Sequence, residues 1–227
     1  MDCLQTADFW IGLVKIVWIN IILSGDNAVV IAMAACSLPP AQQNKAVILG
    51  SGAAVVLRIA LTVVAAKLLA LPYLQILGGA LLLWIGVQLL GDEHEDDGEE
   101  KQYGSMFGAV RTILLADLVM SLDNVIAVAA AAQGSMVLLA LGLAISIPLV
   151  IFGSTLMIKL MERFPIIIML GAALIGWVGG ETIVSDLALS GVLAATPWLH
   201  DAGAAAGALF VVAYDRWQRR RAASAVQ

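Results

Sequence analysis

The sequence predicts an all-α, polytopic membrane protein: seven transmembrane helices in one membrane domain, built as two inverted three-helix repeats plus one extra helix. Three observations carry this expectation. Of the 227 residues, 61% are hydrophobic and only 13% charged, with a mean hydropathy of +0.96; a soluble domain is roughly 45–50% apolar and about 25% charged. Seven stretches are each long enough, at about 20 residues, to cross the hydrocarbon core as helix. An Asp-Asn motif and its surroundings recur in the second half of the chain at a nearly constant offset.

In chain order, the first stretch is Phe9–Cys36. It is longer than one span needs, so it should be tilted or broken, with Gly25 as the weak point. Leu38-Pro39-Pro40 separates it from the second, Ala46–Ala70, and Leu71-Pro72 separates that from the third, Tyr73–Leu90. After the acidic run Gly91–Gly104 come Arg111–Ala132, Ser135–Leu160 and Pro165–Asp186, punctuated by Gln133-Gly134 and Phe164-Pro165. Pro197–Trp217 is the weakest, holding His200, Asp201 and many Ala and Gly. The divisions are 1–91 for the first repeat, 92–104 for an acidic cytoplasmic loop, 105–190 for the second repeat, and 191–227 for the seventh helix and a basic tail. The acidic Asp2 and Asp8 argue against a cleavable signal peptide.

The net charge is −5, with seven of seventeen carboxylates in the loop (Asp92, Glu93, Glu95, Asp96, Asp97, Glu99 and Glu100). Elsewhere ten carboxylates face twelve basic residues, and no basic stripe suits nucleic acid. The positive-inside rule places Arg216, Arg219, Arg220 and Arg221 in the cytoplasm, and Lys45, Lys101, Arg111, Lys159 and Arg163 then fall on the same side. The expectation is N-terminus outside and C-terminus inside, in a bacterial inner (plasma) membrane. Cys3 and Cys36 would lie on opposite faces and cannot pair. The loop, with His94 between Glu93 and Glu95, reads as a solvated connector.

Ser24-Gly25-Asp26-Asn27-Ala28-Val29 returns as Ser121-Leu122-Asp123-Asn124-Val125-Ile126 at an offset of 97, which also pairs Asn20 with Asp117. Pro72, Leu77, Gly78, Trp84 and Gly86 return as Pro165, Leu170, Gly171, Trp177 and Gly179 at an offset of 93. Three spans per copy is an odd number, so the second copy enters the membrane from the opposite side. Many secondary transporters share that architecture, with their sites near the midplane at the repeat interface.

Ionisable groups at bilayer depth are costly unless paired, hydrated or metal-bound, and so mark function by default. Asp26 and Asp123 are such groups. Asn20, Ser24 and Asn27 share one helix face at i, i+4, i+7 spacing, as do Asp117, Ser121 and Asn124. On regular helices Asp26 and Asp123 lie roughly 100° off those faces. Gly25 could unwind the first span and bring Asp26 inward; Leu122 offers no such freedom. Carboxylate, amide and hydroxyl oxygens suit hard cations, Mn²⁺, Ca²⁺ or Mg²⁺, over zinc or copper. Arg58 is a charge partner for a carboxylate, and Glu181 a second metal position or a proton carrier, a role Asp117 could share. Lys15 and Lys67 read as snorkelling residues, and several of the tryptophans as an interfacial belt.

At Leu23–Val29, Ala116–Asn124 and Gly176-Trp177-Val178-Gly179-Gly180-Glu181 the sequence resembles the TerC family of integral membrane proteins, its short YjbE-like members in particular. The resemblance implies a seven-helix metal transporter related to LysE-type exporters and linked to Mn²⁺ efflux, with Asp26 and Asp123 as its intramembrane carboxylates. The expected activity is therefore secondary export of a hard divalent cation from the cytoplasm, without a resident cofactor and without enzymatic chemistry. Its partners would be the ion and the bilayer, with a homo-oligomer left open. The rivals are an intramembrane aspartyl protease, which also needs two Asp on two helices but lacks a Gly-x-Gly-Asp signature here, and a membrane scaffold for metal loading of secreted enzymes.

Overall fold

The computed structural model describes residues 7–68, 71–91, 104–132 and 135–225. The acidic loop with His94 lies outside them, as do the side chains of Lys67 and Asp123. Among the described residues the fold is all-helical: α1 (Ala7–Ile22), α2 (Gly25–Cys36), α3 (Pro40–Leu68), α4 (Leu74–Gly91), α5 (Met106–Ala132), α6 (Met136–Arg163), α7 (Ile166–Val184), a 3₁₀ turn (Leu187–Leu189), α8 (Ser190–Ala195) and α9 (Leu199–Ala225).

Each of the seven apolar stretches coincides with a helix, except that the first forms two. α1 and α2 are bent 51° apart at Leu23–Ser24. Ser24, Gly25, Asp26 and Asn27 are residues that favour helix starts over helix interiors, so the chain ends one helix and begins another there. α3 opens on Pro40, whose missing N–H costs nothing in a first turn. α6 is capped by Ser135, whose Oγ accepts the Leu138 N–H at 3.2 Å, and runs unbroken through Pro148. Among the described residues, α3, α4, α6 and α7 are long and apolar enough to cross a membrane, and the bent α1–α2 pair passes the same test if its two halves count as one span. α9, with His200, Asp201 and Asp215, is not among them. Trp10, Trp18, Phe107, Phe152 and Leu209 are exposed on the outside of the bundle, where lipid would cover them.

The packing is paired. α3 lies along α5, as α6 lies along α1 and α2; α4 packs on α7; α4 touches α5, as α2 touches α7. α9 packs on α7 and α4. Its close approach to α7 depends on glycines: a Cβ at Gly180 would strike the Gly203 carbonyl, and one at Gly207 the Gly176 carbonyl.

Past the end of α7, outside the span, Asp186 is fully buried and ties two helix ends together. Its carboxylate accepts the N–H groups of Tyr73 (2.9 Å), Gln75 (3.0 Å) and Ile76 (3.2 Å) at the start of α4, and of Ala188 (2.8 Å) in the 3₁₀ turn. Burial pushes its pKa up, but these four amides more than offset that, so the carboxyl lies below its ordinary value.

Candidate cation site

The break between α1 and α2 frees the Leu23 carbonyl from the helical ladder. Two amides related by the sequence repeat satisfy it: Asn27 Nδ2 donates at 3.2 Å and Asn124 Nδ2 at 3.4 Å. Ser24 precedes α2 without a side-chain capping bond. Asp26, in the first turn of α2, accepts the Asn27 N–H through Oδ1 at 2.9 Å and places its charge at the positive end of that helix. α5 continues uninterrupted through Leu122, the residue that stands where α2 has Gly25.

Beside the break is a cavity of about 20 Å³, room for one water-sized particle. It is lined by polar groups from α1, α3, α5 and α6 and from the start of α2: Asn20, Ser24, Asn27, Ser51, Arg58, Asp117 and Ser146. A larger crevice of about 160 Å³ adjoins it between the break and α6, sharing Asn20, Ser24 and Ser146.

A buried chain of polar contacts crosses the cavity. Arg58 Nη2 donates to Asp117 Oδ1 at 2.5 Å and Nη1 to Asn20 Oδ1 at 2.9 Å. Asn20 Nδ2 donates to Ser146 Oγ at 3.0 Å, and Ser146 donates to the Leu143 carbonyl at 2.7 Å. Arg58 and Asp117 are each only 5% exposed. Yet among the described residues Asp117 Oδ2, Asn27 Oδ1, Ser51 Oγ, Ser121 Oγ and Arg58 Nε have no hydrogen-bond partner. Buried polar atoms are almost always satisfied. Three of these oxygens, on Asp117, Asn27 and Ser51, belong to residues lining the one small cavity, and together they form a hard, oxygen-only donor set.

Of the residues singled out in the sequence, Asn20, Ser24, Asn27, Asp117 and Arg58 meet at this cavity. Ser121 is buried one turn along α5 from Asp117, and Asn124 reaches across to Leu23. Asp26 is half-buried and does not line the cavity; the Asp123 side chain lies outside the described residues. Among the described residues no group of three or more His, Cys, Asp or Glu side chains is arranged to hold a metal ion. Glu181 sits apart, its Oε1 3.3 Å from His200 Nε2, with Asp201 3.8 Å from the other ring nitrogen. Ser51 and Ser146 escaped the sequence reading. Their signal was a polar residue in each of two apolar spans, spaced much like the other repeat pairs.

The description "Integral membrane protein TerC family" matches residues 5–223, nearly the whole chain. The chain belongs to the TerC family. Its relatives include the membrane protein YjbE of Bacillus subtilis, 50% identical over 183 residues that make up 81% of this chain and 84% of YjbE. The inner membrane protein YgdQ of Escherichia coli is 26% identical over 78% of this chain and 81% of its own length. The E. coli inner membrane protein YoaE is 32% identical over 145 residues, 56% of this chain but only 28% of YoaE. No solved structure matches this TerC-family chain. With its several apolar spans, it is an integral membrane protein.

Proposed function

We propose that this TerC-family protein is a secondary transporter, and not an enzyme, that exports a hard divalent cation from the cytoplasm across a bacterial inner membrane. Mn²⁺ is the first candidate, with Ca²⁺ and Mg²⁺ behind it. The observation that carries the reading is the set of buried oxygens without protein partners, on Asp117, Asn27 and Ser51, around a cavity of single-particle size. Asn20 and Ser24 complete its wall, with Ser121 and Asn124 next to it. Asp26 and Asp123 supply further charge; Asp26 needs only a turn of the first residues of α2, which the break permits.

Two features of the fold support transport. Discontinuous helices are a recurring device of transporter ion sites, because they free backbone groups and half-helix ends at membrane depth. Several helix contacts also have counterparts when α1–α2 is exchanged with α5, α3 with α6 and α4 with α7, as a repeat of three helices would give, although α6 touches α7 without an equal α3–α4 contact among the described residues. In this reading seven helices cross the membrane, the N-terminus is outside, and rocking of one repeat against the other gives alternating access. The protease reading, whose pair would be Asp26 and Asp123, has less support, since Asn follows each Asp and the sequence has no Gly-x-Gly-Asp signature.

Metal uptake by inside-out vesicles, across a panel of divalent ions, tests the proposal. The expected result is saturable Mn²⁺ uptake that exceeds Ca²⁺ and Mg²⁺ uptake. Vesicles no more permeable than protein-free controls to every ion in the panel would refute it.

A further inference from the structure

We propose that Arg58 is a tethered competitor for the transported cation: its guanidinium holds Asp117 and Asn20 between transport events and must leave them for an ion to bind. This rests on the cation-transport reading above.

An arginine that only braces a buried carboxylate is expected to use its fork, with two parallel bonds and every polar atom satisfied. Arg58 does something else. One arm reaches a single oxygen of Asp117 and the other reaches Asn20, while Asp117 Oδ2 and Arg58 Nε have no partner among the described residues. Asp117 and Asn20 are the repeat-related pair of the sequence, on α5 and α1. Arg58 therefore bridges equivalent positions of the two halves, where a shared ion would sit.

Charge makes the occupancy exclusive. The cavity has room for one water-sized particle with Arg58 already in its wall, so an ion entering it would lie directly beside the guanidinium. Placing a divalent ion beside a buried guanidinium would set like charges together in a low-dielectric site. Conversely, a bare Asp117 in the apolar core is costly, and Arg58 neutralises it when no ion is bound. The arrangement lets the ion-free carrier keep a neutral core while leaving donors half-satisfied and ready for exchange.

Mn²⁺ binding to the detergent-purified full-length chain, measured by titration calorimetry with circular dichroism as the fold check, tests this. Arg58→Ala should bind Mn²⁺ about tenfold or more tightly than the parent, as expected when a buried charge-assisted bond no longer has to be broken. Guanidinium ion added in solution should refill the vacated space and weaken binding back toward the parent. A purely structural Arg58 reverses both signs: Arg58→Ala would lose Mn²⁺ binding and guanidinium would restore it. That result overturns the proposal, and so does unchanged affinity. If Arg58→Ala does not fold, Arg58→Lys decides, because an ammonium lacks the planar fork that bridges Asn20 and Asp117. Tighter binding than the parent supports competition; equal or weaker binding overturns it. A parent chain that binds no ion of the divalent panel would instead sink the transport reading, and this inference with it.

Discussion

Asp117 and Asp26 hold their charge in different ways, and substitution should separate them. Asp117 is buried against Arg58, whereas Asp26 is half-buried at a helix start and accepts its neighbour's N–H. On the transport reading, with Asp26 turned inward to join Asp117, neutralising either removes a unit of charge from beside a divalent ion, worth several kcal/mol even at an effective dielectric of about 20. Asp26→Asn and Asp117→Asn should each cut Mn²⁺ transport by at least about a hundredfold. Stability should diverge. Asp117→Asn strands a buried guanidinium and should cost about 3 kcal/mol or more, while Asp26→Asn removes an unpaired membrane charge and should leave the melting temperature in detergent unchanged or higher. Transport by either folded variant at the parental rate would remove that carboxylate from the site. Most of the site was legible at this scale, because polar residues at i, i+4, i+7 in apolar helices announce a shared face. Arg58's partner was not, since its bonds to Asn20 and Asp117 join different helices and no single-helix period encodes them. Ser51 and Ser146 were missed for a similar reason: their pairing shows only across the two halves of the chain, not within either helix.

The helix break carries the next test. A Cβ built at Gly25 meets nothing within 4 Å, so a side chain there causes no clash. Gly25→Ala would favour helix by roughly 1 kcal/mol and push the first half toward the continuous form that α5 has around Leu122. The expected outcome is a more heat-stable protein that transports Mn²⁺ more slowly; parental flux with raised stability would show that the break has no part in transport. The sequence contrast of Gly25 with Leu122 raised this asymmetry and left it open, because propensity is only a weak prior that tertiary context can override. The 3₁₀ turn and α8 were not anticipated, being too short to show a period. Asp186 belongs to that region, and its depressed pKa has a pH signature. Its folded value is below its unfolded one, so its contribution to stability is complete above the ordinary carboxylate range and is lost as pH falls through the folded value. Asp186→Asn should lower stability near neutral pH by about 1–2 kcal/mol, typical of a lost helix cap. The gap from the parent should close in acid. Thermal melts of both proteins across a pH series would show it, and a gap that stays constant into acid would mean the amides do not hold the charged form.

For the whole molecule, the open contest is whether α5 crosses the membrane, because a site shared between inverted repeats requires it. Its apolar stretch carries Arg111, Asp117 and Asp123, charges that would be costly if they faced lipid. In the fold Asp117 is paired with Arg58 of α3, Asn124 turns to the Leu23 carbonyl, and Ser121 is fully buried, so these polar groups point into the bundle. A helix of 27 residues is about 40 Å long, more than the roughly 30 Å core demands. α9 presents the same problem in milder form: its glycines lower its hydropathy, yet they are what allow its backbone to close on α7. Small side chains that serve packing therefore read as a weak span in a linear sequence. The expectation is that α5 crosses, which puts Ser105 and Ser135 on opposite faces. Single cysteines at these two positions, in a chain with Cys3 and Cys36 replaced by Ala, can be labelled in intact cells with a membrane-impermeant thiol reagent. Ser135→Cys should react from outside and Ser105→Cys only after the cells are opened. If both positions behave alike, α5 does not cross, the second repeat loses its inverted orientation, and the cavity at Asp117 cannot be a midplane site.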